Sequence, residues 1–170
     1  YDNKYRFQGY QIYQLKDAAV SVSDLQDIDL ARLVAQVDIK DSITQLINYE
    51  FDKSMGINIP TLMVDGANEG ISHSFKVTVD LFATGDDKTL VNHKKYYFIA
   101  LSYAYNNYIP CTQNLTLVCQ KKPYLAGRKD GFGRSIEAII CIPHKPELEE
   151  GGTEVNSIYG DSPLITRHEG

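Results

Sequence analysis

The sequence predicts an all-β protein, an antiparallel β-sandwich with a long insertion. Three observations lead there. Residues 94–108 read KKYYFIALSYAYNNY, an aromatic-rich run without proline or glycine, and aromatic residues favour a pleated surface. Residues 5–17, YRFQGYQIYQLKD, hold a second aromatic run. The intervening segments alternate apolar with polar residues and are punctuated by Gly, Pro and Asp, as an all-β chain requires.

In the first aromatic run, Tyr5 and Phe7 share a face, and Gly9 marks a bend or bulge. Tyr10, Ile12 and Gln14 then lie on one side, Tyr13 and Leu15 on the other. Ser23 suits the cap of a short turn over 24–28. Leu33, Ala35, Val37 and Ile39 alternate, as do Ile43, Gln45, Ile47, Tyr49 and Phe51, so two strands are expected with a break near 40–42. A helix over 25–37 fits Leu30, Leu33, Val34 and Val37 as well, and periodicity alone does not separate the two. Residues 56–70 read as loop, because Pro60, Asp65-Gly66 and Glu69-Gly70 are turn signals. Residues 73–83 alternate cleanly through Phe75, Val77, Val79 and Leu81 and predict a half-buried strand.

The run at 94–108 follows. Tyr96, Phe98, Ala100, Ser102 and Ala104 lie on one face, and Tyr97, Ile99, Leu101, Tyr103 and Tyr105 on the other. With both faces apolar, the strand is expected to be central and covered twice. Most of the twelve tyrosines fall in or beside the two aromatic runs, which argues that they are neighbouring strands. Tyr10, Ile12, Tyr96, Phe98 and Ala100 are the expected core. The opposite face needs a second cover, since a bare one would exceed the few hundred Å2 of apolar patch that monomers tolerate. Residues 110–133 are loop-rich, SIEAIICI at 135–142 is a last strand, and 146–170 read as an irregular tail or linker. The domain is therefore expected over 1–145, with the insertion at about 20–72.

A chain of 170 residues buries a sizeable core, and 43% hydrophobic and 23% charged residues are ordinary for a globular protein. No apolar run is long enough for a membrane span. The net charge of −5, with dispersed basic residues, argues against a nucleic-acid partner. The chain opens on Tyr1 and closes on RHEG, as expected of a piece of a longer protein.

Two phrases then resemble the fibronectin type III family. Its third strand commonly carries Y-x-[IV]-Y after an aromatic residue or glycine, matched by Gly9-Tyr10-Gln11-Ile12-Tyr13. Its sixth commonly reads Y-x-F-x-[VA]-x-[AS], matched by Tyr96, Phe98, Ala100 and Ser102. The resemblance covers about 45 residues. It implies a fibronectin III or immunoglobulin-like sandwich in which Tyr96 is the tyrosine-corner residue, bonded to upstream backbone. The family's first two strands would precede Tyr1, and 23–70 is far longer than its usual connection. The wording of 92–108, KKPYLAGRKDGFG and the tail also resembles large cell-surface proteins of bacteria that use type IX secretion. That implies a secreted or outer-surface setting, and O-glycosylation of Ser42 within Asp41-Ser42-Ile43.

No catalytic signature is present. His73, His93, His144 and His168 form no HExxH or HxH pattern, and there is no GxSxG elbow. No metal and no cofactor are expected. Cys111 and Cys119 flank a loop that a disulfide would close, leaving Cys141 odd; three reduced thiols fit equally well. The expectation is a non-catalytic structural, adhesion or protein-binding module, partnered by neighbouring domains of its parent chain or another surface molecule. The rivals are a carbohydrate-binding accessory domain and a subunit of an outer-membrane secretion or adhesion assembly. Tyr97, Tyr103, Tyr105 and Tyr108 are the candidate binding residues, able to stack on sugar rings or a protein.

Overall fold

The computed structural model describes residues 4–107, 109–111 and 119–144. Its strands are β1 (Arg6–Leu15), β2 (Ala31–Asp38), β3 (Gln45–Asp52), β4 (Ile57–Asp65), β5 (Tyr96–Tyr105), β6 (Tyr124–Ala126) and β7 (Ile139–Cys141). A single 3-10 turn, Val22–Asp24, is the only helical element among the described residues. The protein is all-β, with antiparallel pairing throughout. The helix open to residues 25–37 does not form, because β2 finds hydrogen-bond partners along β1.

The main sheet runs β2-β1-β5-β6, with β7 on the other half of β5. The two aromatic runs are direct neighbours, Leu15 facing Tyr97 and Arg6 facing Tyr105. β5 is central and β1 is interior, flanked by β2 and β5. The register of β1 against β5 shifts between Phe7 and Gly9, a bulge at the glycine. Gly9 is forced there by close approach, since a Cβ would overlap the Val37 carbonyl oxygen and the Tyr103 ring. The Tyr103 hydroxyl donates to that same carbonyl at 3.3 Å.

The core lies on one face of this sheet. Tyr13, Leu15, Ile99 and Leu101 pack under the 18–30 loop through Val20 and Leu25. Tyr103 and Tyr124 pack under the β3–β4 hairpin through Leu46 and Val64. The hairpin is a separate two-stranded sheet. It is tied down by polar groups: Asn48 exchanges hydrogen bonds with the backbone of Tyr124, and the Tyr49 N–H donates to the Lys121 carbonyl at 2.7 Å. Residues 20–72, expected as an insertion, thus supply one sheet strand and much of the cover.

On β5 the face expected to need a second cover has one, and it is the more deeply buried of the two. Ile99 is 0% exposed, Leu101 2% and Tyr103 1%, while Ala100 and Ser102 are open. Of the expected core, Tyr96 is buried and Ile12 and Phe98 half-buried, but Ala100 is exposed and Tyr10 is 36% exposed. The reason is supply of cover. The hairpin and the 18–30 loop both settle on the Tyr103 face, and the short Ala100 and Ser102 side chains hold little to bury on the other.

Two further expectations are corrected. Residues 73–83 form no strand; they run across the back face and share one isolated bridge, Val79 with Thr89. Side-chain tethers replace a ladder. Gln14 Nε2 donates to Asp80 Oδ1 at 2.7 Å, the Leu81 N–H returns to Gln14 Oε1 at 2.8 Å, and Lys94 Nζ reaches Asp80 Oδ2 at 3.0 Å. Conversely, β4 occupies the segment assigned to loop. Pro60 is tolerated because β4 pairs only with β3.

Candidate functional site

Two concave surfaces lie on opposite faces of the main sheet. The first is an apolar groove of about 430 Å3 on the back face. Its floor is Ile12, Phe98 and Ala100; Phe75 and Leu90 from the 73–93 strap close one side, and Ile139 of β7 the other. Ile12 and Ala100 pair directly across β1 and β5, and the small alanine leaves the depression between larger neighbours. Tyr96 closes one end, its hydroxyl accepting from the Val91 N–H at 2.8 Å, so that it bonds to upstream backbone. Cys141, a free and exposed thiol, stands at the rim.

The second is a smaller cleft of about 170 Å3 between β3, the end of β5 and the 119–123 segment. Tyr49 and Tyr105 line it, with the amides of Gln45, Asn107 and Gln120. Cys111 forms part of the wall and is bridged to Cys119, eight residues on. Removing that bridge by a Cys111→Ser, Cys119→Ser double substitution is expected to lower stability by about 2–3 kcal/mol, the chain-entropy value for so short a loop. Urea unfolding with and without the substitutions reads this directly; coincident curves would show that the loop needs no bridge.

The nominated binding tyrosines divide. Tyr103 is corrected from surface to core: the hairpin buries it, and burial raises its hydroxyl pKa. Tyr97 is half-buried against the core. Tyr105 reaches the cleft. Tyr108 lies outside the described residues, as do 146–170. Ser42 is exposed at a tight turn with φ of 71°, its N–H donating to Asn68 Oδ1. Tyr49, Asn107 and Gln120 were not among the candidates. The signal available for Asn107 was an amide pair closing an aromatic strand; nothing local marked Tyr49 or Gln120.

Among the described residues no group of three or more His, Cys, Asp or Glu is arranged to hold a metal ion. Among them, no helix is long and apolar enough to cross a membrane. The described residues define an all-β chain of antiparallel sheets with concave surfaces on both faces of the main sheet. Comparison with protein-family models, curated proteins and solved structures found no match.

Proposed function

We propose that this chain is a non-catalytic interaction module, a fibronectin type III-like sandwich within a secreted, cell-surface bacterial protein of the type IX secretion kind. The carrying observation is the back-face groove. Ile139 and Ile142 are about half exposed there beside Phe98 and Ala100. A sheet face that is apolar and only strapped needs a further layer, because apolar area left in water forgoes about 25 cal/mol per Å2. The occupant we assign is a neighbouring domain of the same parent chain.

The Y-x-I-Y and Y-x-F phrases, and the bond from the Val91 N–H to Tyr96, support the family reading. The Cys111–Cys119 bridge fits an oxidising, extracellular setting, though weakly, and the exposed Ser42 suits a glycan attachment point.

The test uses the intact parent protein with a photo-crosslinking phenylalanine analogue in place of Ile139. We expect a crosslink to an adjoining domain, lost when Ala100 is also changed to Arg. A groove that crosslinks to nothing in the intact protein would overturn the assignment.

A further inference from the structure

We propose that the cleft between Tyr49 and Tyr105 is a binding site for a single neutral sugar ring. It lies on the opposite side of the sheet from the apolar groove, and the inference does not depend on what covers that groove.

Size comes first. Pockets for drug-sized ligands occupy roughly 300–1,000 Å3, and this cleft holds about 170 Å3. One ring fits; an extended apolar ligand or a peptide segment does not. Charge comes second. None of the described lining residues is Asp, Glu, Lys, Arg or His. At the nearby surface Lys122 and Glu50 stand 3.7 Å apart and offset one another. Phosphate and carboxylate ligands would enter such a cleft without a counter-charge, and the Asp65 carboxylate beside Gln45 is engaged by that residue's amide.

Hydrogen-bond polarity comes third and narrows the class. Asn107 Oδ1 is buried and has no hydrogen-bond partner among the described residues. Gln120 Nε2 donates to the Tyr5 hydroxyl at 3.0 Å. That hydroxyl itself donates to the Lys122 carbonyl at 2.6 Å, so Gln120 must present its NH2 to Tyr5, which leaves its carbonyl oxygen as the remaining acceptor. Gln45 Nε2 likewise donates to Asp65 Oδ1 at 3.1 Å, an acceptor-only carboxylate, which fixes that amide in the same sense. Asn107 Oδ1 is therefore a buried acceptor in the cleft wall, and the carbonyl oxygens of Gln45 and Gln120 are further acceptors on lining residues.

A matching ligand must carry several donors on a compact, uncharged frame. The hydroxyls of a pyranose do so, and its C–H face matches the faces of Tyr49 and Tyr105. A single ordered water would satisfy Asn107 and leave the tyrosines without a role.

The geometry is held from outside the cleft. The Tyr49 N–H bonds the Lys121 carbonyl, the Asn106 N–H bonds the Pro123 carbonyl, and the Gln120 N–H bonds the Ile109 carbonyl. The walls are thus pre-set by backbone bonds.

The test is a two-dimensional NMR titration of the side-chain amides of Gln45, Asn107 and Gln120. The probes are the methyl glycosides of glucose, galactose and mannose, and N-acetylglucosamine, each to ~50 mM, a range suited to the millimolar affinity of a one-ring ligand. We expect saturable shifts of these amides with at least one sugar. Tyr105→Ala should weaken that binding by about tenfold or more, equivalent to ~1.4 kcal/mol. Asn107→Asp, which keeps the shape but adds a charge, gives the second reading and should also weaken it, with the remaining amide spectrum unchanged. No saturable shift with any probe, or an affinity in both substituted proteins equal to that of the parent, would overturn the proposal and leave the cleft as a water site.

Discussion

Substituting alanine for Gly9 is expected to destabilise the fold by about 3 kcal/mol, the upper part of the range for overpacking a filled site. The added Cβ would overlap the Val37 carbonyl oxygen and stand 2.6 Å from the Tyr103 hydroxyl. Neither neighbour can step aside. The carbonyl belongs to β2 in register with β1, and the tyrosine ring is held 5.5 Å from that of Tyr124 beneath the hairpin. Gly131→Ala, where a Cβ meets nothing within 4 Å, is the control and should stay within about 0.5 kcal/mol of the parent. Urea midpoints of the two proteins decide the matter; equal midpoints would mean that the bulge relaxes freely. In a Tyr103→Leu background the Gly9→Ala penalty should shrink without vanishing, because the Val37 carbonyl remains.

Asp80→Ala is expected to lower stability by about 2–3 kcal/mol, since it strands the buried Gln14 amide without its acceptor. Asp80 is 4% exposed and fastens the back-face strap to β1 through Gln14 and to the start of β5 through Lys94. Burial pushes its carboxyl pKa up. Hydrogen bonds from Lys94, Gln14 and the Phe82 N–H outweigh that and hold it below the ordinary value. A carboxyl depressed in the folded state contributes stability that is present above its unfolded pKa of ~3.9 and is lost as pH falls through the lower folded value. The parent protein should therefore lose stability below about pH 4. Asp80→Asn should remove that part of the acid sensitivity while starting from a lower plateau. Identical acid profiles for the parent and Asp80→Asn would show that the carboxylate carries no part of it.

What the residues disclosed, and what they withheld, follows from the range of each interaction. β1, β2, β3 and β5 are legible because their alternation is local and long, and the pairing of β1 with β5 follows from their shared aromatic content. Which face of β5 is inward was not legible. Both faces are apolar, and the choice is made by the β3–β4 hairpin and the 18–30 loop, both remote from β5 in sequence. Residues 73–83 have the period of a strand but cross the back face of the sheet rather than running along an edge, and the Gln14–Asp80 hydrogen bond holds them there instead of a ladder. β4 was hidden by Pro60, a reliable strand breaker in a sheet interior and harmless where only one side is paired. In the cleft, Tyr105 was legible as an aromatic residue at a strand end. Tyr49, Asn107 and Gln120 were not, since nothing in their own neighbourhoods shows that the chain brings them together.

The sheet's central pair joins Arg6 to Tyr105 and Leu15 to Tyr97, so its two strands are made far apart in time as well as in sequence. Folding that waits on such distant contacts is slow, in the millisecond-to-second range for small β proteins. During synthesis or export the β3–β4 hairpin, whose partners are close in the chain, can close first. β1 can pair early with β2, but its other edge must remain shielded until residue 105 has emerged. An order is thereby built into the chain: the lid assembles before the layer it will cover.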